Sequence, residues 1–340
     1  MGIGIPNVHE AWTWYRKNFS MNIPVFEEAA TAELMLPYTG GKPHDRHAIL
    51  ALNMQGGGGF EIWQYTSRTP QPASFEPKLG DYGIHICKIK SMDAVASFKN
   101  FDKNYLISSN VEHSPNGTKH FFVRDPYGNI FQVIESDNHY IKNKNETGGV
   151  FGAIIGVSDI EKSIDFYKNV LGYDVIDWQG EGQFEDFDSI NTSKHLYKRA
   201  ILSHSNVRKG SFSQLLGPSQ IELVQNLTEN GQKIYKDRYW GDLGFIHLCF
   251  DIIGMKKLQV ACEKAGHPFT VDSANSFDMG EAAGHFSYIE DPDGALIEFV
   301  ETHKIPIFKK IGWYLDIRKR DPLKPLPKWM IKSLGLNKKQ

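Results

Sequence analysis

The chain has 340 residues, of which 41% are hydrophobic and 12% aromatic, enough for more than one buried core. Its three cysteines, Cys87, Cys249 and Cys262, form no CxxC pair, which excludes a disulfide framework and a structural zinc knuckle. No apolar run reaches membrane-spanning length and no charged, then apolar, leader opens the chain, so the sequence predicts a cytoplasmic protein without a transmembrane segment.

The net charge of −2 conceals an uneven distribution. Residues 303–340 carry eleven lysines and arginines against two aspartates, a net charge of +9, which leaves about −11 for residues 1–302. An acidic body argues against nucleic-acid binding. The basic, aromatic tail is expected to pack on this body or to contact an anionic surface.

Along the chain, the same pattern of strand, helix and further strands occurs twice in each half. Four segments recur at offsets that grow from 152 to 166 residues: 14–19 with 166–171, 60–64 with 221–225, 83–87 with 245–249, and 125–128 with 291–294. A growing offset indicates a tandem duplication with longer loops in the second copy. The polar run 137–149 links the copies, so the predicted modules are residues 1–136 and 150–302, followed by the extension 303–340.

Helix boundary signals support this pattern. Asn7 can cap the first helix, with Glu10 at its third position. In the second copy, Ser158 and Glu161 have capping-box spacing, and Gly172 ends a run with apolar residues on one helical face. The sequence therefore predicts a repeated βαβββ unit and an α+β fold.

The end of the second copy contains the most informative polar residues. Asp291–Gly294 has the chemistry of a type I turn, and the strand after it places Glu298 on one face with Leu296 and Val300. A carboxylate among apolar neighbours needs a cation, a proton or several hydrogen-bond donors. His247, on an earlier strand, is the nearest candidate to share a cation with it.

The run from Val157 to Tyr173, the strand histidine and the motif Asp-Pro-Asp-Gly-x-x-x-Glu resemble the vicinal oxygen chelate superfamily, which includes glyoxalase I, bleomycin resistance proteins and extradiol dioxygenases. The resemblance implies two tandem modules over residues 1–302. Each would consist of paired βαβββ motifs that form a curved, incompletely closed mixed β-sheet around a cleft. It also implies a divalent metal ion (Fe, Mn, Zn, Ni or Co) and a small substrate that chelates it through adjacent oxygens.

In the second module, the resemblance implies metal ligands at Glu222, His247 and Glu298, with Gly152 at the first-strand ligand position. The carboxylates of Glu222 and Glu298 are also candidate catalytic bases. Tyr288 lies three residues before the turn, where extradiol dioxygenases tend to place a substrate-contacting tyrosine. An ordinary strand aromatic is the alternative for Tyr288.

In the first module, the corresponding positions hold Glu61, His85 and Gln132. The spacing of 24 residues between Glu61 and His85 nearly repeats the 25 residues of the second module. The first-strand position would precede Met1. Two interpretations stay open: the protein begins upstream and supplies a ligand there, or this module has lost its site and is structural.

Two packings of the ligand strands are also open. In one packing, each module keeps its own set of ligands. In a swapped, glyoxalase-like packing, Glu61 joins His247 and Glu298, whereas Glu222 joins the other two first-module candidates. His247 and Glu298 stay together in both.

The ligand set implies a metal-dependent enzyme with isomerase, epimerase or lyase chemistry through a metal-stabilised enolate. One alternative is a ring-cleaving or 4-hydroxyphenylpyruvate-type Fe(II) dioxygenase, which the two-module length favours. Gly152 counts against ring cleavage, because such iron sites use two histidines and one carboxylate. Another alternative is a non-catalytic binding protein whose site Trp63, Trp178 and Trp240 could line. A homodimer is compatible with each of these.

Two further segments have simpler interpretations. Residues 44–47 contain two histidines, an aspartate and an arginine, but their counterpart 198–201 begins a strand, so we interpret them as an exposed strand edge. The tetraglycine run 56–59 precedes a strand rather than a helix. It therefore predicts a hairpin and not a phosphate-binding loop.

Overall fold

The computed structural model describes residues 1–190, 194–273, 277–278, 283–308 and 313–339. The first copy contains β1 (Gly2–Gly4), α1 (Val8–Phe19), β2 (Ile23–Thr31), β3 (Asp45–Asn53), β4 (Gly57–Tyr65), β5 (Gly83–Ser91), α2 (Ala94–Asn100), β6 (Glu112–His113), β7 (Lys119–Arg124) and β8 (Ile130–Glu135). The second copy contains β9 (Thr147–Gly156), α3 (Ile160–Leu171), β10 (Val175–Gly182), β11 (Tyr197–Ser203), α4 (Ser213–Leu216), β12 (Gln220–Asn226), β13 (Gly244–Asp251), α5 (Met255–Lys264), β14 (Val271–Asp272), β15 (Phe277–Asp278), β16 (Ala283–Glu290) and β17 (Leu296–Thr302). The extension contains β18 (Lys304–Phe308), β19 (Trp313–Asp316) and α6 (Lys328–Ser333).

The strands of the two copies form two large sheets. Sheet A has the order β14-β16-β17-β13-β1-β4-β3-β2, with β15 paired to β16, and sheet B has the order β10-β11-β12-β9-β5-β8-β7-β6. Both sheets are mixed: β1 is parallel to β4 and antiparallel to β13, and β9 is parallel to β12 and antiparallel to β5. The predicted α+β fold with two curved, open, mixed sheets is confirmed.

Each sheet combines strands from both copies. Sheet A joins β1–β4 from the beginning of the chain with β13–β17 from its end, whereas sheet B joins β5–β8 with β9–β12. This is the swapped arrangement. It places Glu61, on β4, in the same sheet as the strands of His247 and Glu298, and Glu222, on β12, in the other sheet.

The helix ends follow from local chemistry. Asn7 caps α1 by accepting hydrogen bonds from two backbone N–H groups of the first turn. At α3 the cap is Asp159 rather than the predicted Ser158, because the Asp159 carboxylate both accepts a first-turn N–H and complements the helix dipole. Gly172 ends α3 with a φ of 74°, a conformation that glycine adopts without strain. Among the described residues, no helix is both long and apolar enough to cross a membrane.

One large core lies between the helices and the two sheets. It buries Tyr15 of α1 and Tyr167 of α3 together with strand residues such as Ile62. Because side chains alternate along β4, Glu61 and Trp63 point to the opposite face of sheet A, where a smaller aromatic cluster lies. We call this opposite face of sheet A the cleft face.

The C-terminal extension packs on the body through aliphatic side chains. Leu326 and Ile331 are buried in one cluster with Ile23 and Met54 of the first copy. Trp329, by contrast, is 62% exposed. Leu326 and Ile331 therefore anchor the tail, and Trp329 does not pack across the body.

Candidate metal centre

Three side chains meet on the cleft face of sheet A. The Nε2 atom of His247 lies 3.3 Å from Oε2 of Glu61 and 3.2 Å from Oε2 of Glu298. Strand pairing causes this convergence, because Gly2 of β1 lies opposite both His247 and Glu61, and β13 pairs directly with β17. The swapped sheet thus adds a first-copy carboxylate to the second-copy pair.

Gly2 leaves the space that the imidazole ring occupies. A Cβ atom at this position would lie 2.3 Å from Cε1 of His247, so the ring would have to move for any larger residue. At this level of the sheet, β1 therefore contributes space and no ligand. The protein side chains that meet here are one imidazole and two carboxylates.

The electrostatics of the cluster favour positive charge at its centre. The side chain of His247 is fully buried, and those of Glu61 and Glu298 are 22% and 12% exposed. Burial would lower the pKa of His247, but Glu298 and Glu61 together outweigh it and raise the pKa to about 9. Burial would raise the pKa of Glu298, yet His247 reverses this and the net direction is downward.

The cluster fits a divalent ion. Both ring nitrogens of His247 are buried without a hydrogen-bond partner among the described residues, although Nε2 is within ion-pair distance of two carboxylates. Ligand atoms at 2.0–2.2 Å from one ion lie about 3.0–3.5 Å apart, similar to the separations seen here. One imidazole with two carboxylates suits Mn, Fe, Co, Ni or Zn.

Aromatic side chains surround the histidine. Tyr288 lies opposite Glu298 in the sheet, and its hydroxyl donates a hydrogen bond of 2.9 Å to Oε1 of Glu298. The Tyr288 ring meets His247 edge-on with centroids 5.5 Å apart, and the Trp240 ring is parallel to the imidazole at 6.1 Å. The tyrosine therefore holds one oxygen of Glu298 and leaves the other facing His247.

Replacing Tyr288 with phenylalanine is expected to weaken metal binding about 10- to 100-fold, because it releases the carboxylate of Glu298, a predicted ligand, from its orienting hydrogen bond. The free energy of unfolding should fall by only about 1 kcal/mol. Calorimetric titration with Mn²⁺ measures the first effect, and urea unfolding measures the second. An unchanged affinity would show that Glu298 keeps its position without the hydroxyl.

Sheet B carries an ion cluster in place of a second centre. The predicted ligand Glu222 is fully buried there, and its Oε2 accepts a hydrogen bond of 2.5 Å from Nζ of Lys88. Its Oε1 contacts Nε of Arg199, and Nη1 of Arg199 lies 2.8 Å from Asp186. Burial would raise the pKa of Glu222, but Arg199 and Lys88 lower it to about 2. Two protein cations thus occupy the oxygens that a metal would need.

His85 does not occupy the place in sheet B that His247 has in sheet A. Ile86 of β5 pairs with Ile154 of β9, just as His247 of β13 pairs with Gly2 of β1. β5 and β13 therefore correspond at an offset of 161 residues. The predicted match of 83–87 with 245–249, at an offset of 162, is wrong by one residue. Both strands have an irregularity just before this position, and its extra residue is His85 in β5 and Ile246 in β13, so His85 corresponds to Ile246 and not to His247.

The rest of the sheet B cleft is filled. Gln132 lies beside Lys88 on the neighbouring strand and is fully buried, and its amide group has no hydrogen-bond partner in the described part of the chain. The space around it is packed with apolar residues: Leu79, Ile86, Phe122, Ile130, Ile154, Phe187, Tyr197 and Val224. The structure therefore does not bring Glu222, His85 and Gln132 together as ligands around one ion.

The buried His85 predicts acid sensitivity. Burial lowers its pKa to about 4, although Asp81 opposes this shift. The neutral, buried form of His85 therefore stabilises the folded chain above pH 6.5, the ordinary pKa of histidine in the unfolded chain. This stabilisation is lost as the pH falls toward 4. Between pH 7 and pH 5, urea unfolding should show a loss about 2 kcal/mol larger for the natural chain than for His85→Leu. Equal losses would contradict this assignment.

Comparisons with known proteins agree with this architecture. Residues 149–299 match the family model of the Glyoxalase/Bleomycin resistance protein/Dioxygenase superfamily. A lactoylglutathione lyase from Pseudomonas putida is 25% identical over 154 residues, which are 44% of this chain and 82% of that protein. The likeness therefore extends over most of that protein.

Two solved structures resemble the chain over both copies. A mutant of glyoxalase I from Zea mays is 14% identical with a TM-score of 0.52, covering 88% of this chain and 91% of that one. A Bacillus subtilis protein described as a candidate dioxygenase is 13% identical with a TM-score of 0.56, covering 88% and 83%. At such identities the likeness shows the fold. The chain therefore has the vicinal oxygen chelate fold in two tandem modules, and its residues 149–299 match the glyoxalase, bleomycin resistance protein and dioxygenase superfamily.

Proposed function

We propose that the protein is a metal-dependent enzyme that moves a proton next to a carbonyl group of a small substrate with two adjacent oxygens. An isomerase, epimerase or lyase reaction would result. The main support is the buried Nε2 of His247, which lies between the carboxylates of Glu61 and Glu298 without a hydrogen-bond partner among the described residues. A divalent ion held by these three residues supplies a Lewis acid for the substrate oxygens.

The two carboxylates differ in their surroundings, and we assign them different roles. Oε1 of Glu298 accepts the hydrogen bond from Tyr288, which fixes this side chain as a ligand. Apart from its contact with His247, the Glu61 carboxylate has no partner in the described part of the chain, and it is the more exposed of the two. Glu61 is therefore the better candidate to accept a proton from the substrate and return it.

The surroundings of the centre would exclude bulk water from three sides. Trp63 and Trp240 are buried with ring centroids 4.7 Å apart, and Tyr288 closes the side next to Glu298. Few water molecules at the centre strengthen every electrostatic interaction there. Cys249, opposite Glu298, is exposed, so we propose that the substrate enters on the Cys249 side.

The donor set separates the candidate reactions. The centre has one imidazole and two carboxylates, whereas ring-cleaving Fe(II) dioxygenases use two imidazoles and one carboxylate. The likeness of 154 residues of the chain to a lactoylglutathione lyase also supports chemistry next to a carbonyl. A dioxygenase is the second candidate, because one of the structural neighbours is described as such.

The test follows hydrogen exchange in D₂O by NMR, using protein loaded in turn with Mn²⁺, Zn²⁺ and Fe²⁺. Hemithioacetals of 2-oxoaldehydes and α-hydroxy ketones serve as substrates, and catechols and 4-hydroxyphenylpyruvate are assayed separately for oxygen uptake. We expect metal-dependent exchange that Glu61→Gln abolishes. Oxygen uptake without exchange would instead establish a dioxygenase. A protein that neither binds nor is stabilised by any of these metals would have only a binding or a structural role.

Other features are proposed from the sequence alone. These are the module boundaries at 1–136 and 150–302, a cytoplasmic location and a homodimer. Contact of the basic tail with an anionic surface is also a proposal.

A further inference from the structure

A second cluster with metal-ligand chemistry lies on the other side of sheet A. It consists of His9 in the first turn of α1, Glu27 on β2 and His47 on β3. Glu27 lies opposite Ile49, a residue of the large core, whereas Leu50 lies opposite Glu61. Because side chains alternate along a strand, the cluster is on the helix side of the sheet and the cleft face is on the other.

The distances suit one ion. Oε1 of Glu27 lies 3.8 Å from Nδ1 of His9 and 3.5 Å from Nε2 of His47. The ligand atoms of all three side chains lie within 4.8 Å of one another, and those around a tetrahedral Zn²⁺ ion are about 3.3 Å apart, so rotation of these side chains would have to close the gap. The imidazole rings are nearly perpendicular, with centroids 5.1 Å apart, and do not stack on each other.

The three side chains have no competing structural role. In the described part of the chain, none of them makes a hydrogen bond, and both distances to Glu27 are too long for one. The neighbouring Glu28 is already paired with Arg46 at 2.5 Å. The carboxylate of Glu27 is thus left to the two imidazoles.

We propose that His9, Glu27 and His47 form a second metal site, which binds Zn²⁺ or a similar borderline ion at the edge of sheet A, on its helix side. Two imidazoles and one carboxylate are a common protein donor set for such ions, and the exposed side leaves a position for water. This site is independent of the proposed catalytic centre.

The position of the site suggests its effect. It joins the beginning of α1 to β2, the edge strand of sheet A, and to the adjacent β3. An ion that binds only the folded chain stabilises it by mass action, in proportion to the logarithm of its concentration. Zn²⁺ should therefore raise the thermal unfolding temperature of the full chain through this site, even when the cleft centre is disabled.

The test is equilibrium dialysis of the full chain against Zn²⁺, with the bound metal measured by mass spectrometry. The natural chain should bind two ions, whereas His47→Ala, Glu27→Gln and His247→Ala should each bind one. The control is His113→Ala, since His113 is an exposed histidine outside both clusters, and it should bind two. Circular dichroism and melting in EDTA verify that each variant is folded.

The outcomes separate the two sites. Two bound ions in both His47→Ala and Glu27→Gln would overturn the surface site. One ion in the natural chain that only His247→Ala removes would overturn the surface site and leave the proposed function intact. One ion that His47→Ala removes would support the surface site and contradict the cleft centre.

Discussion

Replacing Glu61 with glutamine is expected to lower turnover by a factor of about 10² to 10⁴, the usual contribution of a positioned general base. Glutamine keeps the shape of the side chain but cannot accept the substrate proton. It also removes one of the two negative charges that raise the pKa of His247. Initial rates at saturating metal measure the effect.

The control for this substitution is Glu33→Gln, which makes the same replacement at an exposed glutamate of the first copy. It should keep the natural rate. Glu298→Gln should also abolish activity, and its metal binding should be weakened, because we propose Glu298 as the fixed ligand. Natural turnover in Glu61→Gln would exclude Glu61 as the base.

Replacing Lys88 with methionine is expected to destabilise the protein by about 3–5 kcal/mol, because it leaves the fully buried Glu222 with one cation fewer. The ammonium of Lys88 also contacts Oε1 of Gln220 at 2.5 Å, so a second buried acceptor would lose its donor. Guanidinium unfolding followed by circular dichroism measures the change.

A matched control is Lys162→Met, which removes an exposed pair with Asp159 and should cost less than about 1 kcal/mol. The double variant Lys88→Met with Glu222→Leu should recover part of the loss, since it removes the carboxylate that Lys88 leaves behind. A loss below 1 kcal/mol for Lys88→Met alone would contradict the buried ion cluster.

The fold and part of the centre could be predicted because they depend on local patterns. The duplicated segments predict two copies, and the turn at Asp291–Gly294 with the alternation after it places Glu298 on an inward face. The pairing of β13 with β17 then brings His247 close to Glu298. These relations lie within one motif, where the number of residues between elements is small.

The sequence named Glu61 as a candidate ligand but could not place it beside His247 and Glu298, because that placement depends on how distant motifs pair. Glu61 joins His247 through β1, a strand of three residues that lies between β4 and β13. The sequence allowed this packing and the alternative equally. The match of His85 to His247 was also wrong, because the two histidines lie one residue apart in equivalent strands and the sequence alone does not fix the register to one residue.

The sequence around the ion cluster of sheet B favoured a different interpretation. Lys88 and Lys90 alternate with Cys87 and Ile89, a pattern typical of a strand with one solvated face. Both lysines are instead fully buried, because apolar residues such as Phe122 cover that face. Residues 44–47 were interpreted as a strand edge, yet β3 lies between β2 and β4.

We propose that one metal centre is built from both copies of the duplication. The direct measurement is the metal content of the full-length His47→Ala variant, in which only the cleft centre should bind metal. We predict about one Zn²⁺ per chain, a loss of that ion on adding Glu61→Gln, and no loss on adding His85→Leu. Retention with Glu61→Gln together with loss on His85→Leu would contradict the swapped centre.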